Sequence, residues 1–378
     1  MQLVRAQVHA LEIPMTRPIK MSGETVTHAQ TVLLRLTDEA GREGWGEAGS
    51  APLMTGETLG TLYASACYLV ERMLGADVES PAAITPLLEK ILYANASAKA
   101  AVETALMDLL AQRAGVPLYQ LLNPEAQGPV RLEMLHMLAS GNLEGELEEA
   151  RSLRAQGYRH WKIKVGVGAV EYDVKRIASI VPQLKGDVVS ADANMALSFA
   201  AGDAIADAGA AAGLSFLEQP FHTGSIAAMA RLHARTHLPL CADESIQSIE
   251  DIALHADAHA AQGVSLKLIK LGGVGPAVEA GRLALSRGMK LNLACKVAET
   301  TISAAATAHV GFALGDIAWG YSMSNRYLQA DVCEHALVPE AGAVSTSQMQ
   351  RPGLGYVPEA ARLRDFASRD WKMMEYGA

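Results

Sequence analysis

"RHWKIKVG" (residues 159–166) places two lysines on one face of what reads as a β-strand. Lys162 and Lys164 alternate with Trp161, Ile163 and Val165. Side chains in a strand change face at every residue, so the two lysines point the same way. Two like charges on one face of a buried strand cost free energy unless something compensates them.

The pair sits inside a repeating pattern that decides the fold. "VRLEMLHML", "HWKIKVG", "DVVSADAN", "LSFLEQP", "LPLCADES", "VSLKLIKLGG", "KLNLACK" and "DIAWGYS" read as strands, and a single helical run separates each from the next. Such alternation implies parallel strands with right-handed crossovers. Eight strands in this order predict an α/β fold of the (β/α)7β TIM-like barrel type rather than an open sheet. No glycine-rich phosphate fingerprint follows the first strand, and "KLGGVG" (270–275) is too short a match to count.

Upstream, "LVRAQVHALEIPM" and "AQTVLLRLTDEAGREGWGEA" read as strands joined at the Asp38–Gly41 turn. From about Leu59 to Leu122 the period is helical, and "GVPLYQLLNPEAQGPV" (115–130) is a breaker-rich boundary. A chain of 378 residues suggests two domains. Its net charge of −9 argues against nucleic acid as a partner. Four scattered cysteines with no CxxC suggest neither a disulfide framework nor a zinc site. No signal-peptide h-region and no membrane-length apolar run is present, so a cytoplasmic protein away from membranes is the expectation.

In such barrels the chemistry lies at the C-terminal ends of the strands. Those ends carry Lys162 and Lys164, then Asp192 and Asn194, Glu218 and Gln219, Asp243 and Glu244, and finally Lys267 and Lys270. From Asp192 to Glu218, Asp243 and Lys267 the intervals are 26, 25 and 24 residues, one βα unit each, so these groups should ring one cavity. A single strand-end acid is as readily a helix cap or a surface ion pair. Three on consecutive strands, flanked by lysines, are not well explained that way. Three carboxylates around one point repel unless a cation sits among them, and oxygen-only ligands suit Mg²⁺, with Mn²⁺ next. Lys162 would then disfavour the charged form of Lys164 and let it act as a general base. The metal would bind a substrate carboxylate and stabilise the dianion formed as the α-proton leaves.

At these residues the sequence resembles the enolase superfamily, in its muconate lactonizing enzyme/mandelate racemase-like subgroup. "KIK", "DAN", "LEQP", "ADES" and "LKLIKLGG" match its pattern in order and spacing. The resemblance implies Asp192, Glu218 and Asp243 as Mg²⁺ ligands, with Asn194 and Glu244 behind them. It implies Lys164 and Lys267 as acid/base groups on opposite faces of the substrate α-carbon, supported by Lys162 and Lys270. "AKAAVETALMDLLAQRAGVPLYQLLN" (98–123) is similar to the family's capping-domain signature, although Asn123 stands where a glycine is usual. The resemblance therefore implies an α+β capping domain over 1–124, completed by the tail 350–378, and a barrel over 125–349. The cap loops would be "PIKMSGETVTH" (18–28), with Lys20, and "GEAGSAPLMTG" (46–56), with Met54. It also implies a small carboxylate substrate and homo-oligomers from dimer to octamer.

Within the subgroup the reaction varies. Dipeptide epimerases carry a DxD at the end of strand eight, whereas "DIAWGYSMSN" has Asp316 at its start and no DxD, which argues against that activity. Lys296 in "ACKVAET" is an extra cation at the mouth, either assisting a leaving hydroxyl or paired with Glu299. Trp319 either packs against substrate or is ordinary packing. His136 either contacts substrate or is a core histidine. "ACKVAETT" and "WGYSMSNRYLQADV" (319–332) resemble relatives that act on proline derivatives, cis-3-hydroxy-L-proline dehydratases above all. Dehydration of such a substrate is the first expectation. An amino-acid racemase or epimerase on N-substituted or betaine substrates is the alternative, and a muconate-type cycloisomerase is third. A non-catalytic binding protein predicts loss of a base or ligand, and none is lost.

Overall fold

The structure is a computed structural model and describes residues 1–21, 24–126 and 130–377. The chain opens with strands β1 (Leu3–Met21), β2 (Glu24–Asp38) and β3 (Glu43–Gly49). Helices α1 (Leu59–Met73), α2 (Pro81–Ile91), α3 (Ala96–Ala114) and α4 (Leu118–Leu122) follow. The alternating series then runs β4 (Arg131–Glu133), β5 (Leu135–Leu138), α5 (Leu143–Ala155), β6 (His160–Lys164), α6 (Val170–Gln183), β7 (Val188–Asp192) and α7 (Phe199–Ala212). It continues through β8 (Phe216–Glu218), α8 (Ile226–Thr236), β9 (Leu240–Ala242), α9 (Ile249–Asp257), β10 (Gly263–Leu266), α10 (Leu268–Leu271) and α11 (Val274–Ser286). The last elements are β11 (Lys290–Ala294), α12 (Thr301–Leu314), β12 (Tyr321–Ser322), β13 (Ala343–Ser345), α13 (Ala360–Asp365) and β14 (Met374–Gly377).

Strands β5 to β12 form one parallel sheet in sequence order. A bridge between Met134 and Tyr321 joins its two edges and closes the barrel. The first barrel strand is shorter than its apolar run. Residues 131–133 pair antiparallel with β13 instead, outside the barrel. The expected cap loop over 18–28 is largely a β-hairpin, because β1 and β2 stay paired as far as Met21 and Glu24. In the antiparallel sheet β14–β1–β2–β3 the end of the chain lies beside its beginning.

Close packing joins this sheet to α3, which is buried on every side from Ser97 to Ala111. Gly46 of β3 allows the approach, since a Cβ there would stand 1.9 Å from the Ala101 carbonyl oxygen. Two acids of the N-terminal region then cap helices that belong to the barrel. Glu47 of β3 accepts bonds from the Thr300 and Ser303 amides and the Thr300 hydroxyl at the start of α12. Glu103 of α3 accepts from the Val274 and Gly275 amides at 2.7 and 2.9 Å, at the start of α11. A helix N-terminus offers unpaired amides and partial positive charge, so a carboxylate is a fitting plug. The "GGVG" turn that a nucleotide-binding chain would offer to a phosphate is thus filled by Glu103. Gly273 lies at φ +136, and a Cβ there would come within 2.1 Å of the Glu103 Oε2.

Gly273→Ala should therefore destabilise the fold by about 1–3 kcal/mol, read as a lowered Tm. Burial pushes the Glu103 carboxyl up from 4.5 to about 7, against the pull of the two amides. Between those values the folded chain keeps a proton that the unfolded chain has released, so this contribution to stability falls as the pH rises through the window. Glu103→Gln cannot titrate, and its Tm should fall less steeply than the parent's from about pH 5 to about pH 8. Equal slopes would refute the assignment.

Candidate active site

The polar strand ends meet at one mouth of the barrel. Lys162 and Lys164 lie on β6, Asp192 closes β7, Glu218 closes β8, and Asp243 and Glu244 follow β9. Lys267 ends the β10 run as the residue that caps α10. Strands β6 and β10 are four apart in a ring of eight, so Lys164 and Lys267 face each other across the barrel, with the acids on the arc between them. Lys270 is not on the strand, as the sequence pattern had suggested. The chain turns into α10 after Leu266, and one helical turn brings Lys270 to the same side as Lys267.

The like charges on β6 are compensated by an acid between them. The Lys164 Nζ stands 2.6 Å from Asp192 Oδ2, and the Lys162 Nζ stands 3.6 Å from that same oxygen. Lys162 also lies 2.7 Å from Glu218 Oε2. Lys164 donates to Asn194 Oδ1 as well, and the Asn194 amide donates to Glu244 Oε1 at 3.0 Å. Across the mouth, Asp243 accepts from Lys267 at 2.6 Å and from Lys270 at 2.8 Å. Gln219, in the left-handed region at φ 35, takes the Asp243 and Ser245 amides on its side-chain oxygen and so fixes the end of β9.

Burial alone would discharge these groups, and the neighbours decide otherwise. It works against the Lys162 ammonium, but Glu218 and Asp192 outweigh it and hold the lysine above its ordinary range. It works against Lys267 too, where Asp243 wins and again raises the value. For Lys270 burial prevails, helped by the Lys267 charge, and the value is lowered. Asp192 is buried yet held below the carboxylate range by Lys164 and Lys162, and Asp243 likewise by Lys267 and Lys270. Glu218 is pushed up to about 7, by burial first and then by Asp192 and Asp243. Burial and the Asp243 charge also raise Glu244.

Glu218 is the member that calls for a cation. It is buried, and neither carboxylate oxygen has a hydrogen-bond partner; the Lys162 ion pair is close but not aligned as a hydrogen bond. Among the described residues no three acids, histidines or cysteines already stand close enough to cage a metal, and lysines lie against the acids. The donor set itself fits a hard divalent ion: three carboxylates at the ends of adjacent strands, one of them with Oε1 unpartnered and Oε2 met only by the Lys162 ion pair.

A cavity of about 330 Å³ opens above these groups. Lys162, Lys164, Asp192, Asn194, Glu218, Asp243, Glu244, Lys267, Lys296 and Met54 all line it. Four expected residues do not. His136 is buried on the outer face of β5, bonded to Glu149 and Arg326, whereas Leu135 and Met137 face the cavity. Strand alternation decides this, since Met137 is the register partner of Lys162. Trp319 precedes β12 and is packed inside the barrel, stacked on Phe216 at 4.0 Å between ring centres. Glu299 is turned inward, accepting the Lys296 and Gly49 amides. Lys270 lies behind Asp243. The Lys20 side chain is outside what is described. Sequence reading missed the less polar wall, made by Leu53, Met137, Val297, Met323 and Tyr327. The period-two pattern of β5 could have pointed to Met137 alone among them.

Comparison with known proteins agrees with this architecture. Residues 5–123 match the mandelate racemase / muconate lactonizing enzyme N-terminal domain, and residues 146–362 match the enolase C-terminal domain-like family. An L-Ala-D/L-Glu epimerase of Bacillus subtilis is 28% identical over 366 residues, 95% of this chain and 98% of the relative. An N-succinyl-L-Arg/Lys racemase of Bacillus cereus is 27% identical over 316 residues, 82% of this chain and 84% of the relative. The structure of muconate lactonizing enzyme from Pseudomonas fluorescens, complexed with muconolactone, superposes with a TM-score of 0.90 at 27% identity, covering 97% of this chain and 99% of that one. These names do not support the expected proline dehydratase and agree better with the racemase or epimerase alternative. The chain belongs to the mandelate racemase/muconate lactonizing enzyme family of the enolase superfamily, and it is an isomerase-type enzyme.

Proposed function

We propose that this enzyme is a racemase or epimerase that moves the proton on the carbon next to a carboxylate, with N-substituted amino acids as its substrates. One observation carries the reading: Lys164 and Lys267 line a single cavity from opposite sides of the barrel. A carbon held between them can lose its proton to one lysine as free amine and receive a proton on the other face from the opposite ammonium.

Asp192, Glu218 and Asp243 would hold Mg²⁺ or Mn²⁺. When bound, the ion supplies positive charge that lowers the cost of the negative charge building on the substrate carboxylate. The remaining roles belong to the chain. Asn194 positions the Lys164 ammonium, and Glu244 holds Asn194. Lys162 and Lys270 balance the buried acids that the catalytic lysines leave when they turn to substrate. Segments 1–124 and 350–378 act as the cap, with Ala51–Met54 over the mouth to exclude water. The end of β12 supports a blocked rather than a free amine, because Ser322, Met323 and Ser324 line the cavity there and offer no carboxylate to an ammonium.

Dehydration of a 3-hydroxyproline is the second reading. It would use the same proton abstraction, and Lys296 lines the cavity where a leaving hydroxyl could be protonated. Proton NMR in D₂O with Mg²⁺ separates the two. Exchange of the α-proton with the skeleton retained is the expected result. Loss of the 3-hydroxyl with formation of a pyrroline would establish the dehydratase instead.

Lys164→Ala and Lys267→Ala should each lower turnover by about 10²–10⁴-fold while still binding Mg²⁺ in a calorimetric titration. Near-full activity in either would refute the two-base assignment. Glu218→Gln should weaken Mg²⁺ binding in that titration, and unchanged affinity would remove Glu218 from the ligand set.

A further inference from the structure

A second cavity adjoins the first. It is lined by Met54, Met195 and Glu244, which also line the main cavity, and by Thr223, Ser245 and His255, among others. The two spaces differ in charge. Four lysines line the main cavity, whereas no lysine or arginine lines the annex.

Two residues that line the annex each carry a buried acceptor with no hydrogen-bond partner. His255 is 1% exposed. Its Nδ1 lies 2.8 Å from the Asp251 carbonyl, which can only accept, so the hydrogen of the neutral ring is on Nδ1. Nε2 is then a bare acceptor, and it has no partner. Glu244 is 5% exposed, with Oε1 taken by Asn194 and Oε2 without a partner. Buried acceptors left unmade are costly, and a ligand that donates to them recovers that cost. Glu244 is also two hydrogen bonds from the proposed base, through Asn194 to Lys164.

From this juxtaposition we infer that the annex is the side-chain subsite of the substrate and takes a cationic, hydrogen-bond-donating end, such as an ammonium on a lysine-length chain, against Glu244 Oε2 and His255 Nε2. The inference rests on the proposed amino-acid chemistry for its substrate class, but not for its test. The α-carboxylate goes to the lysine and acid arc, and the side chain passes Met54 and Met195 into the annex.

The test is binding of two probes to the Mg²⁺-loaded enzyme, N-acetyl-L-lysine and N-acetyl-L-norleucine, by saturation-transfer NMR. They differ at the chain end, where only lysine carries the ammonium. The lysine probe should bind about tenfold more tightly, the order expected for a charge-assisted hydrogen bond. His255→Leu should erase that preference. Gly224→Phe should erase it too, by filling the annex from its rim, where a Cβ meets nothing within 4 Å. This second variant guards against a fold defect in the first. Equal affinity for both probes, binding of neither, or a preference that survives both variants would overturn the inference. The α-proton exchange is read separately in D₂O. Preferential binding of the lysine probe without exchange would sink the proposed reaction and leave the annex standing as a cation-binding subsite.

Discussion

The structure depends on one constraint: Lys162, Lys164, Asp192, Glu218, Asp243, Lys267 and Lys270, crowded at the barrel mouth, each stand beside an opposite charge. Lys164, Asp192, Lys162 and Glu218 alternate in sign along one arc, and Asp243 is held between Lys267 and Lys270 on the other. At an effective dielectric near 20, two unit charges 4 Å apart interact by about 4 kcal/mol. An unmatched member of such a set would therefore rival the net stability of a whole domain. Taking one partner from a buried pair costs about 3–5 kcal/mol, mostly through the charge left behind. The lysines proposed to serve the chemistry are thus also the counter-ions that let the acids be buried.

The barrel turns this local rule into a site. Successive parallel strands deliver one polar end after another to a single rim, so residues a βα unit apart in sequence become neighbours in space. Four strands of separation put the two outer lysines face to face. The same geometry leaves the β11 and β12 side of the mouth and the cap loop as the less polar half of the wall. A substrate entering between them meets a polar arc on one side and side chains such as Met137, Met323 and Tyr327 on the other.

The strand-end set was legible because each polar pair interrupts an apolar β-run at a regular interval. The alternation of strands and helices carried the fold for the same reason. What could not be read depends on where a strand stops or on what lies across the barrel. Lys270 would point away from Lys267 if the strand continued, and it is the turn into a helix that brings both to Asp243. His136 has the right position along the chain but the wrong face, which the pairing of Met137 with Lys162 reveals. Trp319 stands just before a very short last strand, and its partner, Phe216, comes from the other side of the barrel interior. Glu47 and Glu103 look like ordinary charged residues until the helices they plug, more than 150 residues later, are in view.

Those two acids also change what the cap is. Each satisfies amides of a barrel helix and is itself shielded from water by the contact, so neither half is complete alone. A cap that swung open as a rigid body would expose two bare helix ends and strand two carboxylates at once. A hinge between the two halves would have to break these contacts, whereas the short segment Ala51–Met54 at the cavity carries neither acid. The two halves are fastened like a mortise and tenon, and the barrel is not a module that can be lifted out and grafted elsewhere without carrying its cap with it.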